Sequence, residues 1–405
     1  MELGKDRCLR GSLIKCTWRS NPDLYAPARY RRACVYEAFV PERLDRIPPL
    51  DPAVAGTVSA AEEAIRHLNS VTRPALAPLA RLLLRTESIA SSKVEGMQVN
   101  ARTLARAEAR WETGRSEGTE AAEIIANIDA MQLAVEESAA AAELTLDNVV
   151  AIHRALLERS ANPAIAGRIR ESQNWIGGND YNPCGAAFVP PPPEEVGRLL
   201  DDLVRFCNDD SLSPLVQAAF AHAQFETIHP FEDGNGRTGR ALVQVLLRRR
   251  GLAPAYVPPI SVVLAAEKDR DIGGITAFRE GRENDWLEAF AVAAARAAGL
   301  AAGYLERVQA LQEQWRERVR PSVRRADAAV WLLIDELPAH PIISAQIAAA
   351  VTRRTKPAAN QALGQLVDAG VLRSLSEGKR NRLWEADGLL ALLAELEAGA
   401  PLRSS

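Results

Sequence analysis

Apolar positions recur along most of this chain at the three- and four-residue spacing of amphipathic helices. Helical patterns run from about residue 57 to 112, through "VSAAEEAIRHLN" and "PALAPLARLLLRTESIASSKVEG". The second stretch has Pro74 near its start and Gly96 at its end, as helices tend to be punctuated. Residues 119–138 and 145–158 continue the pattern, with Ile124, Ile128 and Met131 in one and Val149, Ile152 and Leu156 in the other, and both are predicted to be core helices. The periodicity breaks in "GRIRESQNWIGGNDYNPCGAAFVPPPPEE". There Trp175-Ile176 and Ala187-Phe188-Val189 are separated by Gly, Asn and Pro, which predicts a β-hairpin closed off by the prolines 190–193. Helices are predicted again near 194–208, 214–227, 235–250 and 284–316, before an arginine-rich connection around Pro321. Residues 1–28 show no periodicity and read as a partly ordered extension without an assigned role.

Composition sharpens this to a mainly α protein. A chain of 405 residues has room for two or three domains, and the abundance of alanine and leucine with only 5% aromatic residues favours helix over sheet. A net charge of -3 gives no global attraction to nucleic acid or anionic membrane, so any basic surface must be local. Cys8, Cys16, Cys34, Cys184 and Cys207 form neither a C-x-x-C pair nor an even framework on a small scaffold. That argues against a disulfide-built secreted protein and for a reducing cytoplasm. The most apolar long window, 289–305, contains Arg296 and is too short and too alanine-rich to span a bilayer, and the first residues lack a signal-peptide core. A soluble cytoplasmic protein is expected.

The chemistry concentrates in "HPFEDGNGR", residues 229–237. Gly234, Asn235 and Gly236 permit backbone conformations in which successive N–H groups converge on one anion. The helix predicted to follow adds its orphan amides and dipole at the same point. Arg237 and Arg240, three apart in the first turn, can clasp outlying phosphate oxygens with forked hydrogen bonds. A lone carboxylate beside bound phosphates suits magnesium, which completes its shell with phosphate and water, and Asp233 is so placed. His229, with an unperturbed pKa of about 6.5, can take a proton from an attacking hydroxyl. Singly, each residue also fits a turn or a solvated helix face; together they describe nucleotidyl or phosphoryl transfer. His222, inside a predicted helix, reads as a core histidine.

"HPFEDGNGRTGR" matches every fixed position of the H-P-F-x-[D/E]-G-N-G-R-x-x-R signature, and the chain thus resembles the Fic family. The likeness extends over roughly 117–316 through "AHAQFETIHPF" and "NWIGG...FVPPPPEEV". The resemblance implies transfer of AMP from Mg-ATP to a Ser, Thr or Tyr hydroxyl of a protein, with release of pyrophosphate. It implies His229 as general base, Asp233 as Mg2+ ligand, Gly234, Asn235 and Gly236 as anion hole, and Arg237 and Arg240 as β- and γ-phosphate binders. Phe231 would be the apolar anchor under the loop, and residues about 174–189 the flap that aligns a target by strand addition. "SSKVEG" is similar to the family's inhibitory motif [S/T]-x-x-x-E-[G/N], here Ser91, Glu95 and Gly96. A carboxylate brought to Arg240 would take the group meant for the γ-phosphate, so Glu95 is expected to restrain transfer within one chain. Glu95 could equally orient a water that removes AMP.

The last stretch, about 80 residues, reads as a different unit. "ISAQIAAAV" and "PAANQALGQLVDAG" give two helices around a short turn, with Pro357 and Gly370 marking the ends of the second. "VLRSL", "SEGKRN" and "RLWEA" follow as strand, basic turn and strand, which together resemble a winged helix-turn-helix. Arg353, Arg354, Lys356, Lys379, Arg380 and Arg382 would lie near the second helix and the wing, where DNA phosphates could be met; protein docking or dimerisation fits as well. The expected organisation is an extension at 1–28, an N-terminal helical region with the inhibitory motif at 29–116, a Fic core at 117–316 and a winged helix-turn-helix at 325–396. Expected partners are ATP, a target protein at the flap with the chain itself among the candidates, DNA or a second copy of the chain, and no membrane. A DNA-binding regulator with a nucleotide-sensing core, or a transferase using another nucleotide donor, stays open beside the adenylyltransferase.

Overall fold

The computed structural model describes residues 9–45, 47, 49–70, 77–97, 101–111, 119–158, 160, 162–323, 325, 328–375 and 382–399. It opens with a two-stranded antiparallel hairpin, β1 (Gly11–Trp18) and β2 (Cys34–Pro41). Helices α1 (Pro52–Ser70), α2 (Ala77–Val94), α3 (Ala101–Trp111), α4 (Thr119–Leu133) and α5 (Leu146–Leu157) follow. After the irregular 160s to 180s come α6 (Pro193–Cys207), α7 (Pro214–Ile228), α8 (Asn235–Arg249), α9 (Ile260–Ala266), α10 (Lys268–Arg279) and α11 (Glu283–Val319). The chain ends with α12 (Ala329–Glu336), β3 (Ile342–Ser344), α13 (Ala345–Thr352), α14 (Lys356–Asp368), β4 (Leu372–Ser374), β5 (Leu383–Ala386) and α15 (Leu389–Glu397).

Local chemistry explains the boundaries. Thr145 caps α5 in a reciprocal box with Asn148, Pro193 and Pro214 open α6 and α7, and Gly96 (φ 91°) and Gly370 (φ 67°) follow the ends of α2 and α14 in the left-handed region. Buried on nearly all sides, α7 forms the axis of the core, with α6, α8, α10, α11 and β2 packed around it. The 37-residue α11, about 55 Å long at 1.5 Å per residue, runs from α1 and α7 to α12 and α15, and so ties the helical core to the last unit. Its Trp286 is fully buried and its indole N–H donates to the Ala219 carbonyl of α7 at 2.9 Å. Within the last unit the strands pair in the antiparallel order β3-β5-β4. That unit also touches the N-terminal helices: Lys93 pairs with Glu397 at 3.1 Å, and Arg102 of α3 with Glu385 of β5 at 2.7 Å. Among the described residues no helix is long and apolar enough to cross a membrane.

Several expectations change. The first residues, expected as an extension, contribute β1; its apolar residues are too few and its partner strand too distant in sequence for the alternation to stand out. The hairpin expected over 174–189 reduces to a single antiparallel bridge between Ile176 and Phe188. Beyond it Gly177 and Gly178 take φ of 73° and 81°, and the Asn179 side chain accepts from the Tyr181 and Asn182 amides, so side-chain turns replace a longer ladder. Helices α9 and α10 carried no expectation. The cysteines are corrected as well: Cys34 and Cys184 form a disulfide across 150 residues, with Cα atoms 6.3 Å apart, while Cys16 and Cys207 are free. A bridge from the start of β2 to a segment 150 residues later leaves no spacing signature, and it removes the cysteine argument for a reducing compartment. Pro74, Lys379 and Arg380 lie outside the described residues.

Replacing Trp286 by alanine opens a large cavity where α7 and α11 meet and removes the indole hydrogen bond to the Ala219 carbonyl. A loss of about 3–5 kcal/mol is expected, read as a lowered denaturation midpoint in urea.

Candidate active site

The loop after α7 is held rigidly in an unusual path. His229 ends that helix in the left-handed region (φ 49°, ψ 60°), costly for a non-glycine residue, while its N–H still donates to the Phe225 carbonyl at 2.9 Å. Two side chains stabilise the turn from outside. Arg170 donates through Nε to the His229 carbonyl at 2.9 Å, and Asn174 through Nδ2 to the His229 and Phe231 carbonyls at 3.2 and 2.9 Å. Phe231 is fully buried and stacks flat on His153, ring centres 3.7 Å apart. The His153 Nδ1 accepts the Gly167 amide at 2.9 Å, which assigns the proton to Nε2 and lets it donate to the Asp233 carbonyl at 3.0 Å. Burial pushes that imidazole down to about 4, so it is a neutral strut. Of these supports only Phe231 was singled out from sequence. His153 shares the inward stripe of Val149, Ile152 and Leu156, and a polar residue on that stripe was the available signal.

Next to this strut lies an anion seat. Gly234 caps α8 with φ 75°, and a Cβ there would come 3.2 Å from the Leu156 side chain. Asp233 Oδ1 accepts the Gly234 amide at 2.6 Å, its other oxygen stands 3.6 Å from Arg237, and its side chain is 66% exposed. Asn235 turns inward: its amide group exchanges hydrogen bonds with the Phe231 backbone at 2.9 and 2.8 Å. It therefore closes the loop, and only its backbone faces the seat. Arg237 is 3% exposed, yet its Nε and Nη1 have no hydrogen-bond partner among the described residues. Buried donors of a cation left unpaired are unfavourable, and an incoming anion would satisfy them.

Arg240, also buried, is engaged through Nε and Nη2. Its Nη2 pairs with Glu95 Oε1 at 2.7 Å and donates to the Ser91 carbonyl at 2.9 Å, while its Nε donates to the Ser91 hydroxyl at 2.8 Å. The Glu95 carboxylate lies over Gly236, so close that a Cβ at that residue would fall 2.0 Å from Oε1. Gly96 makes the turn that ends α2, and Lys268 donates to the Val94 carbonyl at 2.8 Å, fixing the end of the helix. Ser91 and Glu95 are thus brought onto Arg240 and Gly236. Burial works to raise the Glu95 carboxyl, but Arg240, with Arg237 and His229 beyond it, holds it below the usual carboxylate range. The carboxylate stays ionised, and with it the ion pair, until pH falls through that lowered pKa.

These groups open into a cleft of about 1160 Å3 that contains His229, Glu95, Gly236 and Arg240 and is walled by β1, β2, the 175–189 segment and α10. Burial, then Arg279 and Arg170, push the His229 imidazole down to about 4, so it is an unprotonated base at neutral pH. Burial raises the carboxyls of Glu226 to about 8 and of Asp271 to about 6, against the pull of Arg240. Both, with Arg279, escaped the sequence reading because nothing in their spacing marks them. His222 is buried beside them and pushed down to about 3 by burial and Arg240, a neutral core histidine. Among the described residues no cluster of three or more His, Cys, Asp or Glu side chains could hold a metal by itself. The exposed Asp233 oxygen beside the open Arg237 fits a cation only if the cation arrives with phosphate oxygens.

Comparison with known proteins agrees. The Fic/DOC family profile matches residues 143–247, and the Fic/DOC family N-terminal profile matches residues 56–136. Protein adenylyltransferase fic-1 of Caenorhabditis elegans is 38% identical over 119 residues, which are 29% of this chain and 22% of that protein. Protein adenylyltransferase Fic of Drosophila persimilis is 32% identical over 170 residues, 40% of this chain and 32% of that protein. The chain thus spans well under two thirds of the length of these relatives. A crystal structure of a Fic family protein from Desulfovibrio desulfuricans G20 superposes with a TM-score of 0.51 at 19% identity, covering 84% of this chain and 98% of that one. At that identity the likeness shows the fold.

Glu95→Gly frees the Arg240 fork while leaving Ser91 in place. Pyrophosphate should then bind about 10-fold more tightly than to the wild type, the worth of one charge-assisted pair, as measured by calorimetry.

Proposed function

The chain belongs to the Fic/DOC family, and from that premise we propose that it is a protein adenylyltransferase, transferring AMP from ATP to a Ser, Thr or Tyr hydroxyl of a protein. The observation that carries this reading is the buried, unpartnered Arg237 fork in the first turn of α8, a helix whose Gly236 and Arg240 line the same cleft as a neutral His229 imidazole. In this reading the polyphosphate of ATP lies on the Gly234-Asn235-Gly236 backbone, with Arg237 and Arg240 on its outer phosphates. Mg2+ held by Asp233 would neutralise phosphate charge there. The target oxygen attacks the α-phosphorus, the new O–P bond forms as the bond to pyrophosphate breaks, and His229 takes the hydroxyl proton. The residues 175–189 act as the flap that presents the target segment.

Ser91, Glu95 and Gly96 are the brake in this proposal. With Glu95 on Arg240 and over Gly236, the outer phosphates are denied both their clamp and their seat, so ATP is excluded from a productive pose. The C-terminal unit supports a second, compatible role. Its helices α13 and α14 before the β4-β5 pair suit a winged helix, and Arg353 and Lys356 are exposed at the turn between the two helices. Salt-sensitive binding of duplex DNA, weakened by R353A/K356A, would support a DNA contact; its absence at low salt would leave that unit as a protein-docking module.

In labelling assays with Mg-ATP, Glu95→Gly should place AMP on protein and His229→Ala in the same background should abolish it, a loss of at least about 100-fold for removal of a general base. Because the imidazole is already unprotonated well below its ordinary pKa, kcat/KM of Glu95→Gly should show no fall with a midpoint near 6.5 as pH drops from 7 to 5. A midpoint at the ordinary value would contradict the assigned environment of His229.

A further inference from the structure

The β1–β2 hairpin, which nothing above puts to use, faces the cleft with one side. In its register Leu13 pairs with Phe39, Lys15 with Glu37 and Thr17 with Val35, and side chains two apart on a strand share a face. Leu13, Lys15, Val35, Glu37 and Phe39 all border the cleft. The hairpin is fixed rigidly to the flap segment opposite. The Phe39 amide donates to the Val189 carbonyl at 2.9 Å, Asn182 donates to the Tyr30 carbonyl at 2.9 Å, Tyr30 stacks on Tyr181, Trp18 meets Trp175 edge-on, and Cys34 is joined to Cys184. Flap and hairpin are therefore two walls of one trough that leads to His229.

The trough is apolar at its mouth. Leu13 is 49% exposed and Val35 67% on the hairpin, Ile176 38% on the flap and Ile272 53% on α10, and all of them border the cleft. Among the described residues the other exposed large apolar side chains sit elsewhere: Ile14 on the opposite face of β1, Tyr25 in the connection between β1 and β2, and Leu332 on α12. The charged pair on the hairpin face, Lys15 across from Glu37, is of opposite sign and offers no net attraction to a charged guest. At about 1160 Å3 the cleft exceeds the about 300–1,000 Å3 of small-molecule sites, so it has room for a segment of polypeptide beside a nucleotide.

We propose that the cleft-facing side of the β1–β2 hairpin is the second wall of the target site, and that it selects polypeptide targets with an apolar side chain next to the modified hydroxyl. This rests on the adenylyl-transfer reading above. Leu13 and Val35 grip that side chain against Ile176 and Ile272, and the hydroxyl beside it is delivered to His229.

The test uses the full chain carrying Glu95→Gly, Mg-ATP and a peptide library. Each peptide holds one Ser, Thr or Tyr flanked by Leu, Lys, Asp or Gly, and AMP addition is read by mass spectrometry as kcat/KM. Leu-flanked peptides should be favoured by about 10-fold, the discrimination an apolar pocket supplies. L13D/V35D should reverse the order and favour Lys-flanked peptides, a gain that misfolding cannot produce. L13A/V35A should weaken the Leu preference without creating one for Lys. A Leu preference that is absent, or that survives both double variants, overturns the proposal, as does a protein that labels itself but no peptide. If Glu95→Gly labels neither itself nor any peptide, adenylyl transfer fails, and the selectivity proposal fails with it.

Discussion

A buried guanidinium must be paired, and the identity of the partner of Arg240 sets the state of the whole site. Its surroundings hold more acid than it needs: Glu226 and Asp271 are near, but burial raises both carboxyls and so moderates their charge. The carboxylate that wins is Glu95, which reaches Arg240 from a separate helix 145 residues earlier in the chain. Ser91 gives the same arginine two neutral hydrogen bonds, so the cation retains partners whatever the glutamate does. In the proposed reading the ion pair is accordingly a removable element laid over the phosphate seat.

That seat depends on stiffness in the loop before α8. The left-handed turn at His229 persists because Arg170 and Asn174 fix its carbonyl, and Phe231 on the neutral His153 prevents the loop from sinking. The supports come from α5 and from Arg170 and Asn174, so the elements that shape this loop also lead into the 175–189 segment beside the cleft. Pre-organisation of this kind would let the proposed base and anion seat act without rearranging as charge develops.

Much of this was legible in the sequence because it is local. The major helices around α7, the punctuation of α2 by Gly96 and of α14 by Pro357 and Gly370, and the cluster of His229, Asp233, Gly234, Gly236, Arg237 and Arg240 depend on spacing within a few turns. What stayed hidden is non-local. The pairing of β1 with β2, the bridge between Cys34 and Cys184, and the roles of Arg170, Asn174 and Glu226 arise only when distant segments fold together. Asn235 shows a third case: its backbone was read from local spacing, but that its side-chain amide exchanges hydrogen bonds with the Phe231 backbone and closes the loop was not.

The closeness of Gly236 to the Glu95 carboxylate bears on how such a protein can drift under mutation. A methyl group at 236 would evict the glutamate, since it would fall 2.0 Å from its oxygen, but it would crowd a phosphate arriving at the same spot just as much. In the proposed reading the restraining carboxylate and a bound phosphate compete for the same space over Gly236, so a substitution there would cost both. Under the proposed reading, a lineage that lost the restraint alone would instead change Glu95, just beyond the end of α2.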